Sequence, residues 1–190
     1  TLIDPVKRKK YDSSLPFDDK IPAEEDVTSD EKFFELFTRC FKLNAQWATE
    51  KPVPLIGDKD TPLEEVKKFY KYWDGFKTWR EFSQFDEYEV ETAEDRYEKR
   101  WMEKQNKKLR EKHEKEERKR IFTLTNRAYK LDPRIKAQAA KEEAERLAIK
   151  QAKKDAKAAQ YKEIEDKRRQ EEEAKAAALK EEEDKKAAEI

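Results

Sequence analysis

Basic side chains follow one face of a predicted helix in the middle of the chain. The segment from Lys104 to Lys136 holds 13 Lys or Arg residues and 5 Asp or Glu residues, although the formal net charge of the whole chain is zero. At about 100° per residue, eight basic side chains fall within an arc of about 140°. We call these eight the basic stripe: Arg100, Lys104, Lys107, Lys108, Lys112, Lys115, Arg118 and Lys119. A continuous row of positive charge suits a rigid polyanion, and nucleic acid is the usual one.

The other faces of this helix have a different character. Between Arg100 and Lys119, only Glu111 and Trp101 share the arc of the basic stripe. Mostly apolar side chains fall on the opposite side: Met102, Leu109, His113 and Leu124. The helix can therefore pack against the protein on one face and present positive charge on the other.

A solvated surface is the competing interpretation of the same charges. Helices rich in Lys and Arg are common on protein surfaces. Glu114 and Glu116 also have the spacing to form ion pairs with basic neighbours on the same helix. Those neighbours are Lys112, Arg118 and Arg120. The charge pattern alone leaves nucleic-acid contact and a solvated face equally open.

Residues that carry out catalysis or hold metals are scarce. The chain has one histidine, His113, and one cysteine, Cys40, far apart in sequence, so neither a zinc site nor a Cys-His nucleophile is expected. Gly57 and Gly75 are the only glycines, too few for a glycine-rich phosphate loop. The carboxylates stand in solvated charge runs rather than in apolar pockets that would raise a pKa. We expect no enzyme, no catalytic residue, no metal and no cofactor.

The composition predicts a compact part followed by a long polar one. Charged residues make up 47% of the 190 residues and apolar types 35%, too few to fill a core of that length. All ten Phe and all four Trp precede Leu124. The single cysteine, Cys40, allows no internal disulfide, fits a reducing compartment and lies at a predicted core position. No run is long and apolar enough to span a membrane, so we expect no membrane partner and a cytosolic or nuclear protein.

Three short aromatic helices are predicted before the basic stripe. Each begins at a threonine with a glutamate three residues later, the pattern of a capping box: Thr28, Thr61 and Thr78. The aromatic side chains that recur at helical spacing are Phe33, Phe34, Phe37, Phe41 and Trp47, then Phe69, Tyr70, Trp73 and Phe76, then Trp79, Phe82 and Phe85. Core packing is the main interpretation of these residues. Stacking on nucleic-acid bases is the alternative.

Clear signals bound the helix that carries the basic stripe. Thr92 with Asp95 could cap its start, and Asp132-Pro133 should interrupt it near Leu131. Its last turns regain an apolar face that should dock onto the aromatic helices. The residues of that face are Ile121, Leu124, Ala128 and Leu131.

Strong helix formers fill residues 137–190, which contain neither Gly nor Pro. This composition favours one long exposed helix, with a partly disordered tail as the alternative. Its apolar residues hold no heptad register, which argues against a sustained coiled coil. The predicted fold class is therefore all-α: a small aromatic-cored helical bundle followed by a long, solvent-exposed, charged helix.

Several ordered blocks of the sequence resemble the zuotin family of ribosome-associated J proteins. The first is D-P-x-K-R-x-x-Y-D over residues 4–12, which is similar to the end of a J domain. The others are PLIGDKD, FYKYWDGFKTWREFSQFDE, KRWMEKQNK and DPRIKA. By this resemblance residues 1–12 are the end of a J domain, 13–27 a linker, 28–136 the zuotin homology domain and 137–190 the charged middle segment.

The resemblance implies a set of partners. Zuotin-type proteins pair with an atypical DnaK-type protein as the ribosome-associated complex. They sit near the nascent-chain exit of the large ribosomal subunit and recruit a second DnaK-type chaperone through the J domain. The J domain's His-Pro-Asp tripeptide is absent from this chain, so we expect the chain itself not to stimulate that chaperone.

The resemblance also implies which residues touch the ribosome. Zuotin homology domains bind rRNA and ribosomal proteins through basic helix residues, and the matching positions here are Arg100, Lys104, Lys107, Lys108 and Arg110. The first four belong to the basic stripe. The long charged helix is implied to extend toward the small subunit. The rival hypothesis is a protein-interaction scaffold, in which the aromatic helices form a docking platform, the charged helix is a spacer and no nucleic acid is bound.

Overall fold

The chain is described here by a computed structural model that covers residues 3–188, and side-chain burial as far as residue 177. These residues form five α helices: α1 Pro5–Ser14, α2 Asp30–Ala45, α3 Leu63–Asp74, α4 Arg96–Leu131 and α5 Pro133–Ala188. Two single-turn 3-10 helices, Ser83–Phe85 and Val90–Thr92, precede α4. The predicted all-α class, with an aromatic bundle and a long charged helix, is confirmed. Residues 1, 2, 189 and 190 of the predicted terminal segments lie outside the described residues.

Contacts divide the chain into two units, Thr1–Ala137 and Gln138–Ile190. The core of the first unit is mostly aromatic and is built from α2, α3 and the end of α4. Its buried residues are Phe33, Phe37, Phe41, Ile56, Val66, Phe69, Tyr70, Trp73, Ile121, Leu124 and Ala128. Burying each large side chain contributes on the order of 2–3 kcal/mol. The predicted docking of the last turns of α4 is thus observed.

The aromatic faces of α2 and α3 follow directly from residue spacing. Phe33, Phe37 and Phe41 recur every four residues, so they line one face of α2, and none is more than 3% exposed. On α3, Phe69 and Trp73 meet Phe41 with ring centroids 4.8 Å and 4.7 Å away. Gly75 is the C-cap of α3. Cys40 is half-buried against this core, and burial raises the pKa of its thiol.

The prediction of a third aromatic helix, beginning at Thr78, is wrong. Residues 77–82 are not helical, and Thr78 forms an isolated bridge with Ala48. The Trp79 amide donates to the Trp47 carbonyl at 2.9 Å, and the Glu81 amide donates to the Ser13 hydroxyl at 3.0 Å. A helix of two turns is costly to nucleate, so tertiary hydrogen bonds to these amides outweigh the local capping pattern.

The predicted caps are shifted by short distances. Ser29, not Thr28, caps α2, because its hydroxyl accepts from the Lys32 amide at 3.2 Å. Asp95 alone caps α4, since its carboxylate accepts from the first-turn amides while the Thr92 hydroxyl donates to the Glu89 carbonyl. At α3 the predicted Thr61 cap is wrong: Pro62 holds the cap position without a side-chain bond. Thr61 instead donates to Asp58 in the preceding loop.

The segment predicted as a linker, residues 13–27, packs against the rest of the first unit. Its first two residues end α1, and Ser13 is buried. Phe17 meets Trp47 edge-on, with ring centroids 5.5 Å apart, and the Arg127 guanidinium donates to the Pro22 carbonyl at 2.8 Å. Tertiary contacts therefore hold the segment in place. None of the described helices offers a stretch with the length and hydropathy of a membrane span.

The second unit consists of the main part of α5. Its described side chains up to residue 177 are almost all exposed. Local pairs of opposite charge stabilise it modestly, such as Lys167 with Glu163 at 2.8 Å. A straight helix with the 56 residues of α5 would measure about 84 Å at 1.5 Å per residue.

Candidate nucleic-acid interface

All eight residues of the basic stripe lie on α4 and are exposed. The helix is fixed at both ends. At its start Asp95 accepts from the amides of Tyr97 and Glu98 at 2.6 Å and 2.8 Å. At its end Ile121, Leu124 and Ala128 are buried in the core. The structure therefore places the eight charges in one solvent-facing row on a helix whose last turns are anchored.

The charges of the basic stripe are largely unpaired within the described part of the chain. The one ion pair found for them there joins Lys107 to Glu111 at 3.9 Å, and both side chains are at least half exposed. A pair of this kind contributes little and is screened by salt. The stripe can therefore exchange water and counterions for the phosphates of a polyanion at low cost.

The acidic residues of α4 face other partners. A Glu116 carboxylate oxygen lies 3.1 Å from Nδ1 of His113. Glu117 is buried and pairs with Arg120 at 2.8 Å and with Arg80 at 3.4 Å. Among the described residues, no ion pair joins Glu114 or Glu116 to Lys112, Arg118 or Arg120, although their spacing would allow it.

Arg110 lies away from the basic stripe. Its guanidinium forms a two-point ion pair with the Asp86 carboxylate, and one of the two bonds, from Nε to Oδ1, measures 2.6 Å. Hydrogen bonding to Asp86 raises the pKa of Arg110 despite its partial burial. The helical wheel explains this, because Arg110 is about 60° beyond the nearer edge of the arc. The structure thus separates one of the nine predicted site residues from the other eight.

Asn106 connects α4 to the loop before it, a role that the sequence analysis missed. This buried side chain accepts from the amides of Glu87 and Tyr88 and donates to the Tyr88 carbonyl at 2.7 Å. Tyr88 in turn meets Trp101 edge-on, with ring centroids 4.9 Å apart. Trp101 is half-exposed within the arc of the basic stripe. The only signal for the role of Asn106 in the sequence was its position, as a polar residue on the packed face of the helix.

His113 is a packing residue, as the sequence analysis expected. Its ring stacks on Phe85, with centroids 4.0 Å apart and planes 25° apart. The ring of Phe82 also stacks on His113, with ring centroids 6.1 Å apart. Of the described residues, no three His, Cys, Asp or Glu side chains come together in a way that could hold a metal ion.

A cleft opens where the end of α3 meets α4, next to the last cations of the basic stripe. It encloses about 400 Å³ and is lined by Trp73, Asp74, Phe76, Lys115, Arg118, Lys119, Ile121 and Phe122. Phe122 is 52% exposed. At 100° per residue, Phe122 falls within the arc of the basic stripe. Extending the helical wheel by one turn beyond Lys119 would therefore have placed Phe122 on the same face.

The predicted docking platform of the scaffold hypothesis is not exposed as a continuous surface. The aromatic residues of α2 and α3 that the hypothesis needs, such as Phe37 and Trp73, are almost fully buried. Large apolar side chains that remain exposed in the first unit lie outside these two faces, including Leu55, Tyr97 and Phe122. Single exposed apolar residues are normal on protein surfaces.

Together these observations define an all-α module with an aromatic core and a solvent-facing basic helix. Residues 32–136, more than half of the chain, match the family model described as "Zuotin-like, zuotin homology domain". The chain therefore belongs to the zuotin-like family. The matched range includes all but the first two residues of α2, together with α3, α4 and the whole of the basic stripe.

Individual relatives agree with this family. The chain is 47% identical over 136 residues to the human protein named DnaJ homolog subfamily C member 2, which covers 71% of this chain and 22% of that protein. It is 37% identical over 149 residues to Zuotin of Schizosaccharomyces pombe, covering 78% and 33%, respectively. It is 36% identical over 136 residues to Zuotin of Saccharomyces cerevisiae, covering 72% and 31%. The chain thus spans about a fifth to a third of the length of these relatives.

Proposed function

We propose that this chain is the ribosome-binding part of a non-enzymatic J-protein co-chaperone that acts on nascent chains in the cytoplasm. Its basic stripe binds rRNA phosphates on the large ribosomal subunit near the tunnel exit. The observation that carries this proposal is the row of eight exposed cations on α4, of which only Lys107 has an ion-pair partner among the described residues.

Two features of the first unit support binding of a rigid polyanion. The core residues of α4 anchor its C-terminal turns, so the backbone that carries the charges is already ordered before binding and less conformational entropy is lost. Glu116 and Glu117 lie against His113, Arg120 and Arg80, and Glu111 is the one acidic residue found in an ion pair with the stripe among the described residues. Each phosphate neutralised by the stripe releases counterions, which favours binding at low salt.

The second unit has a different role in the proposal. Residues 137–190 carry nearly balanced charge, with 14 basic and 15 acidic residues, and hold little net attraction for a polyanion. We assign this charged helix the role of a spacer reaching toward the small subunit. The partners implied by the family, an atypical DnaK-type protein and a recruited DnaK-type chaperone, are proposed to bind elsewhere in the longer protein.

Co-sedimentation of the full 190-residue chain with purified ribosomes across a salt series tests the proposal. The Arg100→Ala/Lys104→Ala variant removes two charges from the basic stripe and should lose most ribosome binding. The matched control is Lys68→Ala/Lys71→Ala, which removes two exposed lysines from α3 in the same unit. Circular dichroism should show that both variants remain helical.

The outcomes separate the two hypotheses. Loss of binding in the α4 variant alone supports contact through the basic stripe. Equal binding by all three proteins at every salt concentration would make the stripe a solvated face. Binding that resists both salt and ribonuclease treatment of the ribosomes would point to a protein partner and to the scaffold hypothesis.

A further inference from the structure

We propose that the cleft between α3 and α4 receives an unpaired nucleobase of the bound RNA, with Phe122 as the stacking surface. This inference rests on the proposed function, since it assumes that the basic stripe meets RNA. It adds a second mode of recognition: the stripe contacts phosphates along a backbone, while the cleft selects RNA that carries a bulged or single-stranded nucleotide.

Phe122 is placed where a base could stack on it. It follows Arg118 by four residues and Lys119 by three, so it lies one turn further along the same face of α4. The ring is 52% exposed, although its neighbour Ile121 is buried in the core. An aromatic side chain half-exposed beside two cations can offer a π-face to a base and keep the adjoining phosphates paired.

The floor of the cleft is already formed. Trp73 and Phe76 stack on each other, with ring centroids 4.6 Å apart and planes 11° apart. Trp73 is 1% exposed and belongs to the core, so this pair is held by packing. The cleft volume of about 400 Å³ lies within the range of small-ligand sites. A base would therefore enter a preformed aromatic cleft rather than having to create one.

The charges around the cleft suit a nucleotide better than an apolar ligand. Lys115, Arg118 and Lys119 stand on its α4 side and supply three positive charges for flanking phosphates. Asp74, also among the lining residues, is an acceptor that can take a hydrogen bond from the exocyclic amino group of a base. The neighbouring cleft of about 320 Å³ is lined by Glu114 and Glu117 and lacks this predominance of positive charge.

Trp101 gives the basic stripe a second exposed aromatic residue near its other end. Phe122 follows it by 21 residues, which corresponds to about 31 Å along the helix axis. The cations of the stripe lie mostly between these two rings. A positively charged surface combined with exposed aromatic rings is the arrangement that proteins use for single-stranded nucleic acid.

Binding of the full chain to two RNA hairpins tests the proposal. One is a continuous duplex, and the other is the same duplex with a single bulged adenosine. Wild type should bind the bulged hairpin more tightly, and Phe122→Leu should remove that preference. Because base stacking on an aromatic ring contributes 1–3 kcal/mol, the preference should be about 5- to 150-fold.

Matched variants separate stacking from a loss of folding. Phe122→Leu retains an apolar side chain at a half-exposed position, and its thermal unfolding should resemble that of wild type. Phe122→Tyr retains an aromatic ring and should keep the wild-type preference for the bulged hairpin. Tyr161→Leu removes an exposed ring from α5 and should leave the preference intact.

Each remaining result contradicts the proposal in a recognisable way. Equal affinity of wild type for both hairpins overturns the nucleobase cleft, while loss of binding in Arg100→Ala/Lys104→Ala would still support the proposed function. Failure of wild type to bind either hairpin at low salt overturns both. If Phe122→Leu weakens ribosome binding but binds both hairpins like wild type, the cleft receives a protein segment instead.

Discussion

The hydroxyl of Tyr70 on α3 donates a hydrogen bond to the Asp132 carboxylate, 2.8 Å away, at the residue between α4 and α5. Asp132 is fully buried and also accepts from the Arg134 guanidinium at 2.7 Å and from the Arg134 amide at 2.9 Å. Arg134 further donates to the carbonyls of Ile56 and Asp58. One buried carboxylate therefore ties α3 and the loop before it to the end of the helix that carries the basic stripe.

Removal of the Tyr70 hydroxyl should destabilise the protein in a pH-dependent way. Burial, together with the negative charge of Asp132, raises the pKa of Tyr70 well above its usual range. The folded state therefore holds the phenol proton more tightly than the unfolded state. The stabilisation is fully present below about pH 10, where unfolded tyrosine starts to ionise, and is lost as the pH rises further.

Urea unfolding of wild type and Tyr70→Phe measures this effect. At pH 7.5, as a chosen condition, wild type should be more stable by about 1 kcal/mol, the usual net value of a hydrogen bond. The difference should shrink at a pH of about 11, above the usual tyrosine pKa. Tyr97→Phe, at an exposed position, is the control. A difference that grows as the solution becomes more alkaline would contradict the assigned role of the hydroxyl.

Asp132→Ala should destabilise the first unit severely. The change leaves the Arg134 side chain, only 8% exposed, without its carboxylate partner. Breaking a buried ion pair in this way costs about 3–5 kcal/mol. Lys130→Ala breaks the exposed pair with Glu24 and should cost at most about 1 kcal/mol. Thermal unfolding of the two variants should therefore differ widely, and similar melting temperatures would refute this account.

The salt dependence of RNA binding should report the phosphate contacts of the basic stripe. Arg100→Ala/Lys104→Ala should reduce the slope of log affinity against log salt concentration by about 1.4–1.8, because each lost contact removes about 0.7–0.9. Fluorescence anisotropy with a duplex RNA measures the slope. Lys68→Ala/Lys71→Ala should keep the wild-type slope. A weaker affinity with an unchanged slope would mean that the lost contacts are not with phosphates.

Arg110 should contribute to folding rather than to RNA binding. Its two-point pair with Asp86 joins α4 to the preceding loop, and the two side chains are 40% and 20% exposed. A double-mutant cycle with Arg110→Ala and Asp86→Ala should give a coupling free energy of about 0.5–1 kcal/mol for unfolding. Ribosome co-sedimentation of Arg110→Ala should match wild type. If Arg110→Ala weakens ribosome binding and the cycle shows no coupling free energy between Arg110 and Asp86, Arg110 is a ribosome-binding residue instead.

Residue spacing predicted most of the helices because their signals are local. The four-residue recurrence of Phe33, Phe37 and Phe41 predicted which face of α2 is buried, since the helical period alone decides which side chains share a face. The Asp132-Pro133 pair predicted the end of α4 for a similar reason, as proline disfavours helix in the residue before it. The arc of the basic stripe also needed only this period.

The failures came from interactions between residues far apart in sequence. The segment at Thr78 carries a capping pattern, yet its amides bond to Trp47 and Ser13, and no local rule contains those partners. The pairing of Arg110 with Asp86, 24 residues earlier, is likewise a contact that no local rule contains. Phe122 gained its cleft only when α3 packed beside α4.

The sequence by itself determined the all-α class, the buried faces of α2 and α3, the extent of α4 and the row of charge along it. These depend on helical period, capping and composition, which act within a few residues. Only the tertiary structure decided which cations stay free, where the 77–92 segment runs and that a cleft adjoins the basic stripe. Those features depend on which groups meet when the helices pack, and packing brings together partners separated by 20 to 80 residues along the chain.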